Sequence, residues 1–153
     1  MTQKFLTDHL KKYLGDRHKL ILISLLTIVP LGLLSKSYTG IGQDWVRNYS
    51  GDVLYEIFWC LLVFWFVSPI RDLAKLQSIS CKIALWVFTV TCGIEISQLW
   101  FDLVPETIRF SLIWRLLLGA GFDWWDFFYY ALGSLIGYWG IYQIGRIHGK
   151  NRN

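Results

Sequence analysis

Charge is scarce in this sequence. Charged residues make up 17% of its 153 positions, against about 25% in an ordinary soluble domain, which excludes a disordered tail and a large soluble enzyme. Cysteine is scarce too. Cys60, Cys81 and Cys92 lie in or beside apolar stretches with no C-x-x-C spacing, so a secreted disulfide scaffold and a zinc site are both excluded, and the three thiols read as small buried hydrophobes. His9, His18 and His148 all lie in the charged ends of the chain, with no two at ligand spacing, so no metal is expected and no cofactor is implied. The formal charge of +4 is spread over short basic segments rather than gathered on a soluble surface, so nucleic acid is not an expected partner. A small-x-small cleavage site is also missing after the first apolar run, and that run is expected to be retained as a helix rather than removed as a signal peptide.

What the chain has in abundance is apolar surface, 54% hydrophobic and 18% aromatic, arranged in blocks. The blocks predict four transmembrane helices at about 19–36, 52–70, 83–101 and 126–144, each near the ~20 residues that a ~30 Å hydrocarbon layer requires. Lys19 and Lys36 extend the first by snorkelling, and Pro30 is expected to kink it. Residues 108–118 are too short to cross and are broken by Arg109 and Arg115, which predicts an interfacial or re-entrant helix. The expected architecture is therefore all-α: a single membrane domain over 1–153, a four-helix bundle with a short interfacial helix before the last span. Residues 71–82 are taken as the loop between the second and third spans.

The basic residues orient this bundle. Of 15 Lys and Arg, 11 fall in the N-terminal segment, the 71–82 loop and the C-terminal tail, while Lys36, Arg47, Arg109 and Arg115 fall on the other side. Both termini are expected on the cytoplasmic side. Eight of the acidic residues gather at or near the opposite, outer side, which topology rules do not explain.

Their spacing is informative. Glu95, Gln98 and Asp102 share one face of the third helix, with Glu95 roughly 10 Å below its outer end at 1.5 Å per residue. Asp52, Tyr55, Glu56 and Trp59 share a face of the second, and Asp123, Asp126 and Tyr130 a face of the fourth. Three helices thus offer acidic faces at one level, with Arg109 and Arg115 as the expected counter-charges. Two readings stay open: a polar plug that locks the helices together, or a binding site open to the outer surface. Aromatic residues crowd the same level, from Trp100 through Trp114, Trp124 and Trp125 to Tyr130, either as an interfacial belt or as stacking platforms for a sugar or lipid headgroup. Gly133 and Gly137 form a G-x-x-x-G on the fourth helix, read as a close-packing face, while Gly119 and Gly121 would break the chain before it.

The blocks Gly32-Leu-Leu-Ser-Lys36, Gly51-Asp52-Val-Leu-Tyr55, Glu95-Ile-Ser-Gln98-Leu99, Arg109, and Leu118-Gly-Ala-Gly-Phe122 continuing to Asp126, Tyr130 and Gly133 resemble a small bacterial membrane family, the domain of unknown function DUF2809. The resemblance spans about residues 20–145. The same order of Glu, Gln, Arg, Asp and paired glycines is similar to the broader VanZ-like group, from which this chain departs at Tyr130, where an Asn is usual, and at Lys36, in place of Arg. What the resemblance implies is location and architecture rather than a reaction: a multi-pass protein of the bacterial cytoplasmic membrane. Together with the outer cluster it leads to an expected role in binding a cell-envelope component, such as a membrane lipid or a lipid-linked or cell-wall precursor. The alternatives are a small proton-coupled carrier and, third, an intramembrane enzyme, for which no Ser/His or Cys/His constellation is present.

Overall fold

Ser24 and Thr27 show how this chain builds a helix in apolar sequence: each hydroxyl donates to the carbonyl four residues back, Leu20 at 2.9 Å and Ile23 at 2.8 Å, so both hydroxyls are partnered within the helix. In the computed structural model, which describes residues 2–68, 70, 72–99 and 122–150, with side chains from 15 to 147 within those limits, this run belongs to α1, Thr2–Ser35, which continues through Pro30. After it the chain turns at Gly42, whose φ of 74° is left-handed and suits glycine. A three-residue α2, Gln43–Trp45, leads through a π-helical turn, Val46–Ser50, into α3, Gly51–Trp65. The remaining helices are α4, Leu73–Ser97, and α5, Trp124–Lys150. No strand occurs among the described residues.

Side-chain contacts set the directions of the helices. Lys36, just past the end of α1, lies against Gly51 at the start of α3. Arg17, midway along α1, reaches the carbonyls that close α3. Leu76 at the start of α4 meets Gly145 near the end of α5, and Glu95 at the end of α4 meets Asp123 just before α5. The four long helices therefore run up, down, up and down. The ends at Ser35, Gly51, Gln98 and Asp123 share one end of the bundle, here termed the upper end. The core is a three-helix cluster in which α5 packs on both α3 and α4, and α1 lies mainly along α3. Buried Ile21, Leu61, Phe64, Leu76, Val87 and Ile141 fill it.

Among the described residues, two helices are long and apolar enough to cross a membrane, Gly15–Ser35 and Leu73–Ser97. Their outer faces are apolar where a soluble protein would be polar, as at Leu26 (65% exposed) and Trp86 (64%). The α-helical part of α3 has only 15 residues, short of the ~20 a span needs. Helix α5 is long enough, but Trp, Tyr and Gly replace much of the Leu and Ile of a strongly apolar span.

Three expectations are corrected. Residues 73–82 are not a loop: Asp72 caps α4 by accepting from the Ala74 N–H at 3.0 Å, so the helix starts about ten residues before the expected span, and Lys75 and Lys82 lie on it. The second helix ends at Trp65 rather than near 70, because Pro69 disfavours helix at Ser68 and Arg17 takes up the terminal carbonyls. Of the three thiols expected to be buried, Cys60 is, but Cys81 is exposed and Cys92 half-buried, since the latter two fall on outward faces of α4. The interfacial segment at 108–118, with Arg109 and Arg115, lies outside the described residues.

Candidate functional site at the upper end of the bundle

Glu95 is the hub of the upper end. It is 1% exposed, and its carboxylate accepts three hydrogen bonds: from Gln98 Nε2 at 2.7 Å, from the Tyr130 hydroxyl at 3.1 Å and from the Asp123 backbone N–H at 3.0 Å. The first donor lies one turn on in the same chain segment. The other two come from the start of α5, so a single side chain joins α4 to α5. Asp126, in the first turn of α5, brings its carboxyl close to both Asp52 on α3 and Glu95 on α4.

The sequence-derived residues therefore separate into groups. Asp52, Glu95, Gln98, Asp126 and Tyr130 come together. Asp123 is at the same place but acts through its backbone, because its own carboxylate accepts from the Trp125 N–H at 3.0 Å and caps α5. Glu56 lies one turn deeper on α3, where its Oε1 accepts from Ser134 Oγ at 2.6 Å. Arg109 and Arg115, the expected counter-charges, lie outside the described residues. Among the described ones, Lys36 supplies positive charge near Asp52. Its ammonium donates to the Arg47 carbonyl at 3.0 Å, and it leans over Gly51, where a Cβ would stand 3.2 Å from Lys36 Cε and Nζ.

Gly133 and Gly137 are turned toward α3. A Cβ on Gly133 would come within 2.6 Å of Glu56 Cβ and 2.8 Å of the Val53 carbonyl, and one on Gly137 within 2.8 Å of Cys60 Cβ and Sγ. These positions let the α5 backbone close on α3 and bring Asp126 to Asp52. The aromatic residues divide as well. Tyr129 is occupied by its neighbours, stacked on Tyr49 at 4.4 Å and bonded through its hydroxyl to Trp45 Nε1 at 2.9 Å. Trp124 (77% exposed), Trp125 and Phe128 are exposed at the rim, with Trp124 edge-on to Phe122 at 5.0 Å and Phe128 edge-on to Tyr129 at 5.4 Å.

Two participants, Thr91 and Ser134, escaped the sequence reading, and Lys36, read there as a snorkelling end on the outer side, was not expected beside Asp52. Thr91 lies four residues before Glu95, and Ser134 four after Tyr130, so the helical period that revealed the acids also points to them. A hydroxyl in an apolar helix is too common for that spacing to stand out. Gln98 carries a second unmet need, for its Oε1 is buried without a hydrogen-bond partner. The described His, Cys, Asp and Glu side chains do not converge as a metal-ligand set.

Chemically, the upper end offers carboxyl oxygens, a phenol and a free amide carbonyl, all held by backbone on rigid helices and edged by exposed indoles. No curated protein and no solved structure matches the chain. A family model described as a protein of unknown function (DUF2809) matches residues 41–134, which includes Asp52, Glu95, Gln98, Asp126 and Tyr130. That match covers more than half of the sequence, and the chain belongs to the DUF2809 family of proteins of unknown function.

Proposed function

We propose that this is a four-span protein of a bacterial cytoplasmic membrane whose upper end faces outward and binds the polar head of an envelope component. The observation that carries the reading is the convergence of Asp52, Glu95, Gln98, Asp126 and Tyr130 from three helices, with the Gln98 carbonyl oxygen buried and unpartnered. Sites that are rich in acceptors recognise ligands that are rich in donors, and the class that fits is a hydroxylated or amine-bearing headgroup. The exposed Trp124, Trp125 and Phe128 supply flat faces for a sugar ring at the headgroup level. The up-and-down course of the helices, with 11 of 15 basic residues in the segments assigned to the lower side, supports cytoplasmic termini. A membrane lipid or a lipid-linked cell-wall precursor meets this description.

The test is lipid analysis of protein purified from its membrane in mild detergent. One hydroxyl- or amine-headed lipid should be enriched over the bulk membrane with the native chain. It should fall to the bulk level in Asp126→Asn, which keeps the side-chain shape while removing the acid. Identical lipid profiles for native protein, variant and bulk membrane would refute the reading.

A further inference from the structure

One carboxyl stands apart from the upper cluster. Glu56 is fully buried, one turn below Asp52 on α3, between Thr91 of α4 and Ser134 of α5. Its Oε1 is held by the Ser134 hydroxyl at 2.6 Å, whereas Oε2 is buried with no hydrogen-bond partner. The Thr91 hydroxyl faces the same carboxyl from α4, but its one proton is directed to the Val87 and Phe88 carbonyls at 3.1 and 3.0 Å. While that proton is so placed, the oxygen meets Glu56 as an acceptor.

Among the described residues, the groups around Glu56 bring no positive charge. Tyr55 and Cys60 face it from its own helix and Cys92 from α4, while Asp52 lies a turn above it on α3, Glu95 a turn above Thr91 on α4 and Tyr130 a turn above Ser134 on α5. Helix α1 carries no ionisable side chain between Leu20 and Ser35. An ionised carboxylate in such surroundings is left uncompensated, while a neutral acid accepts from Ser134 through Oε1 and presents a donor through Oε2. Below Glu56 the same face of α3 continues with Cys60 and Phe64, both buried among apolar side chains. Polar groups reach Glu56 only from the upper end, among the described residues.

We propose that Glu56 is a proton-binding site inside the bundle, held as the neutral acid and exchanging its proton by way of the upper cluster. The step is proton transfer alone. An O–H bond forms at Glu56 Oε2 as a carboxyl of the upper cluster gives up its own proton, and that carboxyl is reloaded from water at the rim. Such a site is what proton-coupled movement of a ligand requires. The inference rests on the membrane reading but not on any ligand of the upper cluster, so a failed lipid analysis leaves it standing.

Infrared spectroscopy of the full chain in lipid nanodiscs, with glutamate carboxyls labelled with carbon-13, reads the site directly. The chain has three glutamates, Glu56, Glu95 and Glu106, and the label separates them from every aspartate. At neutral pH the native protein should show a neutral-acid carbonyl band that shifts on transfer to heavy water. Glu56→Gln should abolish the band, and Glu95→Gln should leave it. Should Glu56→Gln not fold, Ser134→Ala decides: removing the donor to Oε1 should move the band to higher frequency, and an unmoved band overturns the proposal. It is equally overturned by the absence of the band from native protein, by its survival in Glu56→Gln, or by its indifference to heavy water.

Discussion

Glu95 and Gly137 show how differently two single residues hold the upper half of the bundle. Glu95 collects one backbone and two side-chain donors, so the charge and the shape of its carboxyl separate in mutants. Glu95→Ala leaves the Tyr130 hydroxyl and the Asp123 N–H without an acceptor, and should cost about 1–3 kcal/mol for each buried donor left unmet. Glu95→Gln keeps one acceptor oxygen and should cost less, a ranking that reversible unfolding in mixed detergent would give. At Gly137 the constraint is space. Leucine there meets Cys60 on contact, with even its Cβ at 2.8 Å, and should destabilise by about 1–3 kcal/mol through overpacking. Gly140 on the same helix has nothing within 4 Å of its notional Cβ, and Gly140→Ala should be neutral or slightly stabilising because alanine is the better helix former. Equal losses at the two glycines would show that α5 does not meet α3 along this face.

Helix ends carry the next level of organisation. The lower end of α3 is closed from another helix: Arg17 donates to the Phe64 carbonyl at 2.7 Å and the Val67 carbonyl at 2.6 Å, and its guanidinium lies 4.5 Å from the centre of the Phe64 ring. A cation at a helix C-terminus also meets the negative end of the helix dipole. Arg17→Ala should therefore cost about 1.5–3 kcal/mol, the value of a charge-assisted hydrogen bond. Arg17→Lys should recover only part, since an ammonium is more strongly hydrated than a guanidinium and stacks less well on the Phe64 ring. The start of α4 depends on a local cap, and Asp72→Ala should cost about 1 kcal/mol and fray the first turn, which hydrogen exchange at Ala74 would report. The Asp72 cap was not read from the sequence, which took residues 71–82 as a loop. Nor was the role of Arg17, because an arginine in a basic N-terminal segment looks like any other topology signal until α3 is folded against it.

For the molecule as a whole, the alternating course of the four long helices places the upper cluster and both chain ends at opposite ends of the bundle. In the proposed orientation a reporter that works only in the periplasm, fused after Asn153, should stay silent, while one inserted between Lys36 and Gly42 should be active. Activity at Asn153 would reverse the assigned sides and move the acidic cluster to the cytoplasm.

Composition and period by themselves determined that the chain is helical and apolar in blocks, and which faces of three helices carry acids, because both follow from local chemistry repeated every three to four residues. Only the tertiary structure decided which of those acids meet. Asp52, Asp126 and Glu95 were equivalent in the sequence to Glu56, yet packing of α5 on α3 through Gly133 draws the first three to the upper end and leaves Glu56 a turn deeper with Thr91 and Ser134. The depth of a side chain and the identity of its partners depend on interhelical register, and no periodicity within one helix encodes the register between two.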